Sequence, residues 1–292
     1  MFDTSKFDRW ARYTFVELAD PRTTHWPLLG SPVPLFTIIG LWVYFVLSWG
    51  PKLMANRKPF KLQKLMVAYN AVQVIISTYL AYPGIFDCYV FGSYSWTCEP
   101  VDRSRSPLGM KIARIVYFYY LAKLSELLDT VIFVLRKKDK QISFLHVYHH
   151  AGMPIVSWVI AKYVPGGHVV FAGLLNSIVH IVMYAYYMIA AMGPQYQKYL
   201  WWKKYITSMQ LVQFVWAFIH FSQLMVFDCG FPKWIMVVAV PNSVFFYGLF
   251  RDFYNKAYNQ KQERENKARK ALANNCVDGV TQKENLLKEK AQ

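Results

Sequence analysis

The sequence has few acidic residues, few histidines and no apolar leader at its start, and each shortage restricts the class of protein. Its 17 aspartates and glutamates stand against 33 lysines and arginines, for a formal net charge of +16. That excess favours an anionic partner such as a phosphate-bearing ligand, and in a membrane protein it belongs on the cytosolic side. Residues 1–24 are polar and mixed in charge, so they do not form a cleavable signal peptide. We find no internal repeat.

Long runs without charge are abundant instead. Hydrophobic residues make up 55% of the 292 positions, including 21 Tyr, 21 Phe and 10 Trp, which is unusual for a soluble domain. A membrane helix needs about 20 consecutive apolar residues. We therefore predict an all-α integral membrane protein with seven transmembrane helices. They are placed at about 33–49, 65–82, 112–135, 142–164, 169–191, 205–227 and 234–250.

The loops between these spans alternate in charge. Those after spans one, three and five are basic, as is the C-terminal tail, whereas those after spans two, four and six are not. The positive-inside rule then places the N-terminus outside the cytosol and the tail inside it. The predicted organisation is a lumenal N-terminus (1–32), a seven-span domain (33–250) and a basic cytosolic tail (251–292).

Two cysteines fall in loops on the non-cytosolic side. These are Cys98 and Cys229, and we predict a disulfide between them because that compartment is oxidising. The alternative is that all four cysteines are free. In the tail, Lys288 and Lys290 lie near the C-terminus and resemble a dilysine retrieval signal for the endoplasmic reticulum, a pattern that any lysine-rich tail can match by chance.

Three of the seven histidines lie in span four, within a stretch of only five residues. On a helix, His146, His149 and His150 share one face, because residues three and four apart are neighbours. Polar groups inside a membrane are costly unless they are partnered, so such residues are functional by default. A single cluster plus the distant His180 can fill one metal site at most, and Lys123 would repel a cation. We therefore expect no metal.

Three further spans carry polar side chains at helical spacing. In span three, Lys123, Glu126 and Asp129 lie three residues apart, along one side of a helix. A salt bridge that only neutralises buried charge is the structural alternative, although paired ions seldom repay their desolvation. Spans five and six add amides, an imidazole and tyrosines, namely Asn176, His180, Tyr184, Tyr187, Gln210 and Gln213. For the glutamines, bridging between helices is equally well supported.

Depth along the helices indicates that these groups meet. At a rise of about 1.5 Å per residue, Asp129, His149 and Gln210 lie roughly 9 to 13 Å inside the basic boundaries of their spans, and His180 lies roughly 20 Å inside. We therefore predict one polar pocket in the cytosolic half of the bilayer. Paired imidazoles with carboxylates, amides and a lysine suit acyl transfer, in which one group is nucleophile or base and others stabilise an oxyanion.

Four motifs on these spans resemble the signature motifs of the fatty acid elongase family, the elongation of very long chain fatty acids proteins. They are Lys123-x-x-Glu126-x-x-Asp129-Thr130, His146-x-x-His149-His150, Asn176-x-x-x-His180-x-x-Met183-Tyr184-x-Tyr186-Tyr187 and Thr207-x-x-Gln210-x-x-Gln213-Phe214. They occur in the family's order without departure, and the resemblance extends over about 31–258. Flanking segments resemble the branch that acts on saturated and monounsaturated very long chains.

The resemblance implies a 3-oxoacyl-CoA synthase of the endoplasmic reticulum membrane. Such an enzyme condenses a long-chain acyl-CoA with malonyl-CoA, releases carbon dioxide and CoA, and begins the elongation cycle. The family has seven spans, six of which surround a closed-ended acyl tunnel, and it requires no metal or redox cofactor. The implied partners are acyl-CoA, malonyl-CoA and the lipid bilayer, with other elongation-cycle enzymes and further copies of the chain as candidates. No nucleic acid is expected.

From the residue types and the family resemblance together, we expect His149 to attack the acyl thioester. We expect His180 to assist the later reaction of the acyl group with malonyl-CoA. His146 and His150 would act as neighbours of His149, and Asp129 or Glu126 would orient an imidazole. Candidates for binding polar head groups or the oxyanion are Lys123, Asn176, Tyr184, Tyr187, Gln210 and Gln213. The rival hypothesis is a seven-helix lipid carrier or receptor without catalysis.

Overall fold

All regular structure in the described part of the chain is helical. The computed structural model describes residues 4–260 together with residues 263 and 266. Its α-helices are α1 (Thr4–Arg12), α2 (Val33–Tyr44), α3 (Gly50–Met54), α4 (Gln63–Pro83), α5 (Pro107–Ser125), α6 (Leu127–Leu135), α7 (Phe144–Tyr163), α8 (Val169–Met192), α9 (Lys203–Ser222) and α10 (Trp234–Tyr254). Turns of π-helix join α2 to α3 (Phe45–Trp49) and extend α4 (Gly84–Val90) and α10 (Asn255–Asn259).

The long helices coincide with the seven predicted spans, since α2 and α3 are continuous and α5 and α6 are separated only by Glu126. Four of these segments are long and apolar enough to cross a membrane, and they are Val33–Met54, Gln63–Val90, Val169–Met192 and Trp234–Asn259. Large apolar side chains such as Ile75, Val212 and Val237 are exposed on the outside of the bundle. Such a surface is typical of a membrane protein. That all seven segments cross the membrane stays a prediction.

Local sequence signals set the helix limits. Ser106 caps α5, because its hydroxyl accepts a hydrogen bond from the Gly109 amide, and Ser143 caps α7 through the His146 amide. Gly193 ends α8 at a φ of 130°, a region that favours glycine. Gly167 starts the turn into α8 at a φ of 64°, and a Cβ there would lie 2.7 Å from the Pro100 carbonyl oxygen.

The loops after the first, third and fifth segments meet at one end of the bundle, which we call the basic end (residues 55–62, 136–143 and 193–202). The Lys137 ammonium donates to the Ala55 carbonyl at 3.0 Å, and the Gln63 amide donates to the Met192 carbonyl at 3.1 Å. The helices between the two ends pack as neighbours, α4 along α8, α5 along α7 and α9 along α10. Consecutive segments therefore run in alternating directions, as the charge pattern predicts.

The remaining loops meet at the opposite end, which we call the disulfide end (residues 91–106, 164–168 and 226–233). Cys98 and Cys229 form a disulfide there across a separation of 131 residues. The His168 amide donates to the Glu99 carbonyl at 2.9 Å, which ties the start of α8 to the same loop. Cys88 is a buried free thiol.

The N-terminal segment is more structured than a simple polar terminus. After α1, the chain packs across the disulfide end, where Asp20 and Arg22 form a fully buried ion pair at 2.9 Å. The Lys162 ammonium on α7 donates to the Leu29 carbonyl at 2.8 Å, and Thr23 donates to the Ala161 carbonyl at 2.9 Å. Residues 20–29 therefore cover the end of α7, and Arg22 also donates to the Gly109 carbonyl of α5 at 3.4 Å.

The helix α10 continues past residue 250 to Tyr254 and so extends into the segment that was predicted as tail. The retrieval lysines Lys288 and Lys290 lie outside the described residues, as does Cys276.

Candidate active site

An apolar cavity of about 310 Å³ lies inside the bundle. Six segments contribute side chains to it, from α4, α5, α7, α8, α9 and α10. It extends from His149 and Gln213 at one limit to Val169, Phe221 and Trp234 close to the disulfide end. Its lining is aliphatic and aromatic apart from a few polar groups, which is the composition expected of a site for an apolar ligand.

The three histidines of α7 form a contiguous row beside this cavity. The His146 Nε2 lies 2.8 Å from the Thr130 hydroxyl on α6, and its ring lies 4.1 Å from the His150 ring, centroid to centroid. The His150 and His149 rings are 5.3 Å apart. Of the three, His149 lines the cavity, where its ring meets Phe246 of α10 at 5.2 Å. The row therefore connects a hydroxyl on α6 to an imidazole that a cavity ligand can reach.

A buried ionic group lies where α5 gives way to α6. Glu126 Oε1 lies 2.8 Å from the Lys123 ammonium and 3.1 Å from Nδ1 of His180, which α8 brings from 57 residues beyond Lys123. All three side chains are almost completely excluded from solvent. Glu126 is thus the predicted carboxylate that contacts an imidazole, and its role in orienting that ring stays a prediction.

Asp129 is hydrogen-bonded to a tyrosine, whereas the sequence analysis proposed an imidazole as the partner of Asp129 or Glu126. The Tyr184 hydroxyl donates to Asp129 Oδ2 at 2.8 Å, and the Tyr69 ring of α4 packs edge-on against Tyr184. The Tyr69 hydroxyl donates to the Ser125 carbonyl at 3.2 Å, beside the α5–α6 break. Asp129 therefore joins α6 to α8 through Tyr184.

Side-chain amides lie with His149 at the polar end of the cavity. Asn176 of α8 and Gln213 of α9 both line it, and the Tyr119 hydroxyl donates to Asn176 Oδ1 at 2.8 Å. Gln210 lies one turn before Gln213, and its amide contacts the Met183 sulfur at 3.7 Å. Tyr187 is 41% exposed and packs against Tyr184 rather than facing the cavity lining. Among the predicted site residues, only His149, Asn176 and Gln213 line the cavity directly.

Sequence reasoning missed two residues of this site. Tyr119 lies one helical turn before Lys123, and its position on the same helix face is a signal that could have found it. Phe246 comes from α10, where the sequence shows an ordinary apolar run, so only the fold brings it to His149.

The fold and the site define a helical membrane protein in which an apolar cavity ends at imidazole, carboxylate, amide and lysine groups. Such an arrangement holds an apolar chain and presents its polar end to a nucleophile or base. No group of three or more metal-binding side chains occurs in the described part of the chain.

Comparison with known proteins agrees with this class. The profile of the ELO: GNS1/SUR4 family matches residues 27–266. A very long chain fatty acid elongase 7 of Drosophila melanogaster is 45% identical over 269 residues, covering 92% of this chain and 81% of the relative. The very long chain fatty acid elongase 7 of Rattus norvegicus is 46% identical over 259 residues, covering 88% and 90% respectively. Human very long chain fatty acid elongase 4 is 39% identical over 287 residues, covering 98% and 88%. The chain belongs to the ELO family.

Proposed function

We propose that the chain is a very-long-chain 3-oxoacyl-CoA synthase, which condenses a long-chain acyl-CoA with malonyl-CoA to a 3-oxoacyl-CoA, carbon dioxide and CoA. The observation that carries the proposal is the position of His149. It lines the cavity beside the amides of Asn176 and Gln213, and its ring lies 5.3 Å from that of His150, centroid to centroid. A fatty acyl chain would lie against the apolar side chains of the cavity. Its thioester would lie at the polar end, beside His149, Asn176 and Gln213.

In the first half of the proposed reaction, a nitrogen of the neutral His149 ring attacks the thioester carbonyl carbon. A carbon–nitrogen bond forms and the carbon–sulfur bond breaks. CoA leaves as a thiolate and takes up the proton that the acylated imidazole loses. Asn176 and Gln213, which line the cavity, are the donors that we assign to the carbonyl oxygen as its negative charge develops.

In the second half, malonyl-CoA replaces CoA and loses its carboxylate as carbon dioxide. The electron pair of the broken carbon–carbon bond becomes an enolate, and its carbon attacks the acyl carbon. The carbon–nitrogen bond to His149 breaks, and the ring regains a proton from solvent, which is the one proton that the overall reaction consumes. His180, held by Glu126 at 3.1 Å, is the imidazole assigned to assist this step.

Exposure of the enzyme to acyl-CoA alone tests the proposal. Intact-mass analysis is expected to show one acyl adduct, with release of one equivalent of CoA. His149→Ala is expected to lose the adduct, and His25→Ala, at an exposed position near the N-terminus, is expected to keep it. An adduct that survives His149→Ala moves the nucleophile to His150. The absence of any CoA release by the wild type, with either substrate or both, supports the carrier hypothesis instead.

We further propose an endoplasmic-reticulum location with a lumenal N-terminus and a cytosolic C-terminus, and catalysis without metal or redox cofactor. Lysines of the basic end and of the first turn of α9, among them Lys203 and Lys204, then face the cytosol and attract CoA phosphates. Glycosylation acceptor sites inserted at the two ends test the orientation. Only acceptors at the disulfide end are expected to be modified. Stoichiometric iron or zinc in active preparations overturns the cofactor proposal.

A further inference from the structure

Tyr119 joins α5 to α8 at the polar limit of the cavity. Its hydroxyl donates to Asn176 Oδ1 at 2.8 Å, although the two residues are 57 positions apart in sequence. Both side chains line the cavity. The four sequence motifs contain Asn176 but not Tyr119, so the motifs assign this tyrosine no role.

The hydrogen bond determines which end of the Asn176 amide is available. A side-chain amide has an accepting oxygen and a donating nitrogen, and here the oxygen is engaged by Tyr119. Within the described residues, the Asn176 Nδ2 donates to no protein acceptor, and the residue itself lines the cavity. With the amide rotated by half a turn, Nδ2 would donate to the Tyr119 hydroxyl and Oδ1 would be the free end, because a tyrosine hydroxyl can accept as well as donate. In the orientation of the structure the hydroxyl donates to Oδ1, and this leaves Nδ2 as the free donor.

Tyr119 is itself held in place from the other side. The Lys123 ammonium lies 4.8 Å from the centroid of the Tyr119 ring, a cation–π distance. Lys123 in turn is bonded to Glu126. The ring is thus fixed independently of its hydroxyl, so that replacing tyrosine with phenylalanine removes the hydrogen bond and keeps the ring contact.

We propose that Tyr119 is a positioning residue, which holds the Asn176 amide so that its Nδ2 donates to the carbonyl oxygen of the bound acyl thioester. The inference rests on the proposed condensing function. It assigns Asn176 the donor role at the oxyanion and Tyr119 the role of fixing that donor before substrate arrives. A preorganised donor acts on the transition state more than on the ground state.

A double-mutant cycle on the full chain tests the proposal, with long-chain acyl-CoA and malonyl-CoA as substrates. Tyr119→Phe is expected to lower kcat about 3- to 10-fold with little change in KM, as loss of one orienting hydrogen bond predicts. Asn176→Ala is expected to lower kcat about 100-fold or more, as loss of an oxyanion donor does. In the Asn176→Ala background, Tyr119→Phe is expected to have no further effect. Multiplicative effects of the two changes overturn the proposal, as does a Tyr119→Phe effect confined to KM.

Asn176→Asp supplies a second measurement, because this variant does not leave the empty space that Asn176→Ala leaves. The carboxylate keeps the size of the side chain and can still accept from Tyr119, but it has no Nδ2 to donate. Its kcat is expected to be as low as that of Asn176→Ala, and near wild-type activity overturns the donor assignment.

The control is Tyr120→Phe, at the adjacent position. Tyr120 is fully buried, and its hydroxyl contacts the Leu28 carbonyl at 3.5 Å, away from the cavity lining. This variant is expected to keep wild-type kcat. If the wild-type enzyme forms no 3-oxoacyl-CoA, the proposed function fails and this inference fails with it. If the wild type is active and the cycle is multiplicative, only the inference fails.

Discussion

Glu126 Oε1 lies 3.1 Å from Nδ1 of His180 and 2.8 Å from the Lys123 ammonium, so a single buried oxygen serves both an imidazole and a lysine. Glu126→Gln removes the counter-charge of Lys123. Removing one member of a buried ion pair costs about 3–5 kcal/mol, because the other charge stays buried without a partner. We expect the thermal unfolding temperature to fall steeply and condensing activity to be lost.

Two further variants separate stability from chemistry at this carboxylate. Lys123→Met combined with Glu126→Gln is expected to recover most of the stability but not the activity, since His180 still lacks its carboxylate. Asp252→Asn breaks the exposed pair with Lys256 and is expected to change stability by less than about 1 kcal/mol. Full activity of the double variant would contradict a role for Glu126 in orienting His180.

The hydrogen bond from Tyr184 to Asp129 gives a second prediction. Tyr184→Phe removes the donor at 2.8 Å from this carboxylate, and a hydrogen bond to a charged group contributes about 1.5–3 kcal/mol. We expect lower thermal stability and a matching loss of activity, because the contact between α6 and α8 loosens. Tyr79→Phe, at a 55%-exposed position on α4, is the matched control and is expected to behave as wild type. Equal stability of the two variants would rule out a structural contribution from this hydrogen bond.

The disulfide supplies a third prediction. Replacing Cys98 and Cys229 together by serine removes a cross-link that spans 131 residues, and we expect a loss of about 2–5 kcal/mol of stability. Because the bond lies at the opposite end from His149, activity at low temperature is expected to persist. Thermal unfolding with and without a reductant measures the effect. Cys276→Ser is the control, and an unfolding temperature equal to wild type in the double variant would show that the bond carries no stability.

The disulfide end also predicts a pH dependence. The Nε2 of His168 lies 2.8 Å from the His220 carbonyl oxygen, and that of His220 lies 2.9 Å from the His168 carbonyl oxygen, with the two rings stacked at 3.7 Å. Burial lowers the pKa of His168 below its ordinary value. The unfolded chain therefore binds a proton more readily than the folded chain does, and stability is lost as the pH falls through about 6.5.

Unfolding temperatures at several values between pH 8 and pH 5 measure this dependence. His168→Asn retains a side-chain donor but does not titrate, so its unfolding temperature is expected to fall less on acidification than that of the wild type. Identical pH profiles for the two proteins would show that His168 does not contribute to the dependence.

The sequence predicted the positions of the helices well, because long apolar runs and alternating loop charge are local signals. It also identified the polar residues of the spans, since an ionisable group in a membrane-length run is conspicuous on its own. It could not assign partners. The carboxylate that contacts an imidazole is Glu126, whereas Asp129 is bonded to Tyr184, and spacing along one helix treats these two carboxylates alike.

Two features came from the tertiary structure alone. The break between α5 and α6 falls at Glu126 within a run that reads as one continuous helix, and the packed N-terminal segment is held by Lys162 of α7 and Arg22. Neither is encoded in a hydrophobic pattern, because both depend on contacts between residues far apart in the chain.

By itself, the sequence determined the helical membrane class, the alternation of the segments and the chemical groups available for catalysis. These follow from hydropathy, charge and residue type, which are properties of single positions and their near neighbours. The tertiary structure decided which histidine lines the cavity, which carboxylate contacts a histidine and which tyrosine is hydrogen-bonded to Asn176. Those relationships depend on the packing of α5, α7, α8 and α10 around one space, and no local signal records how helices pack.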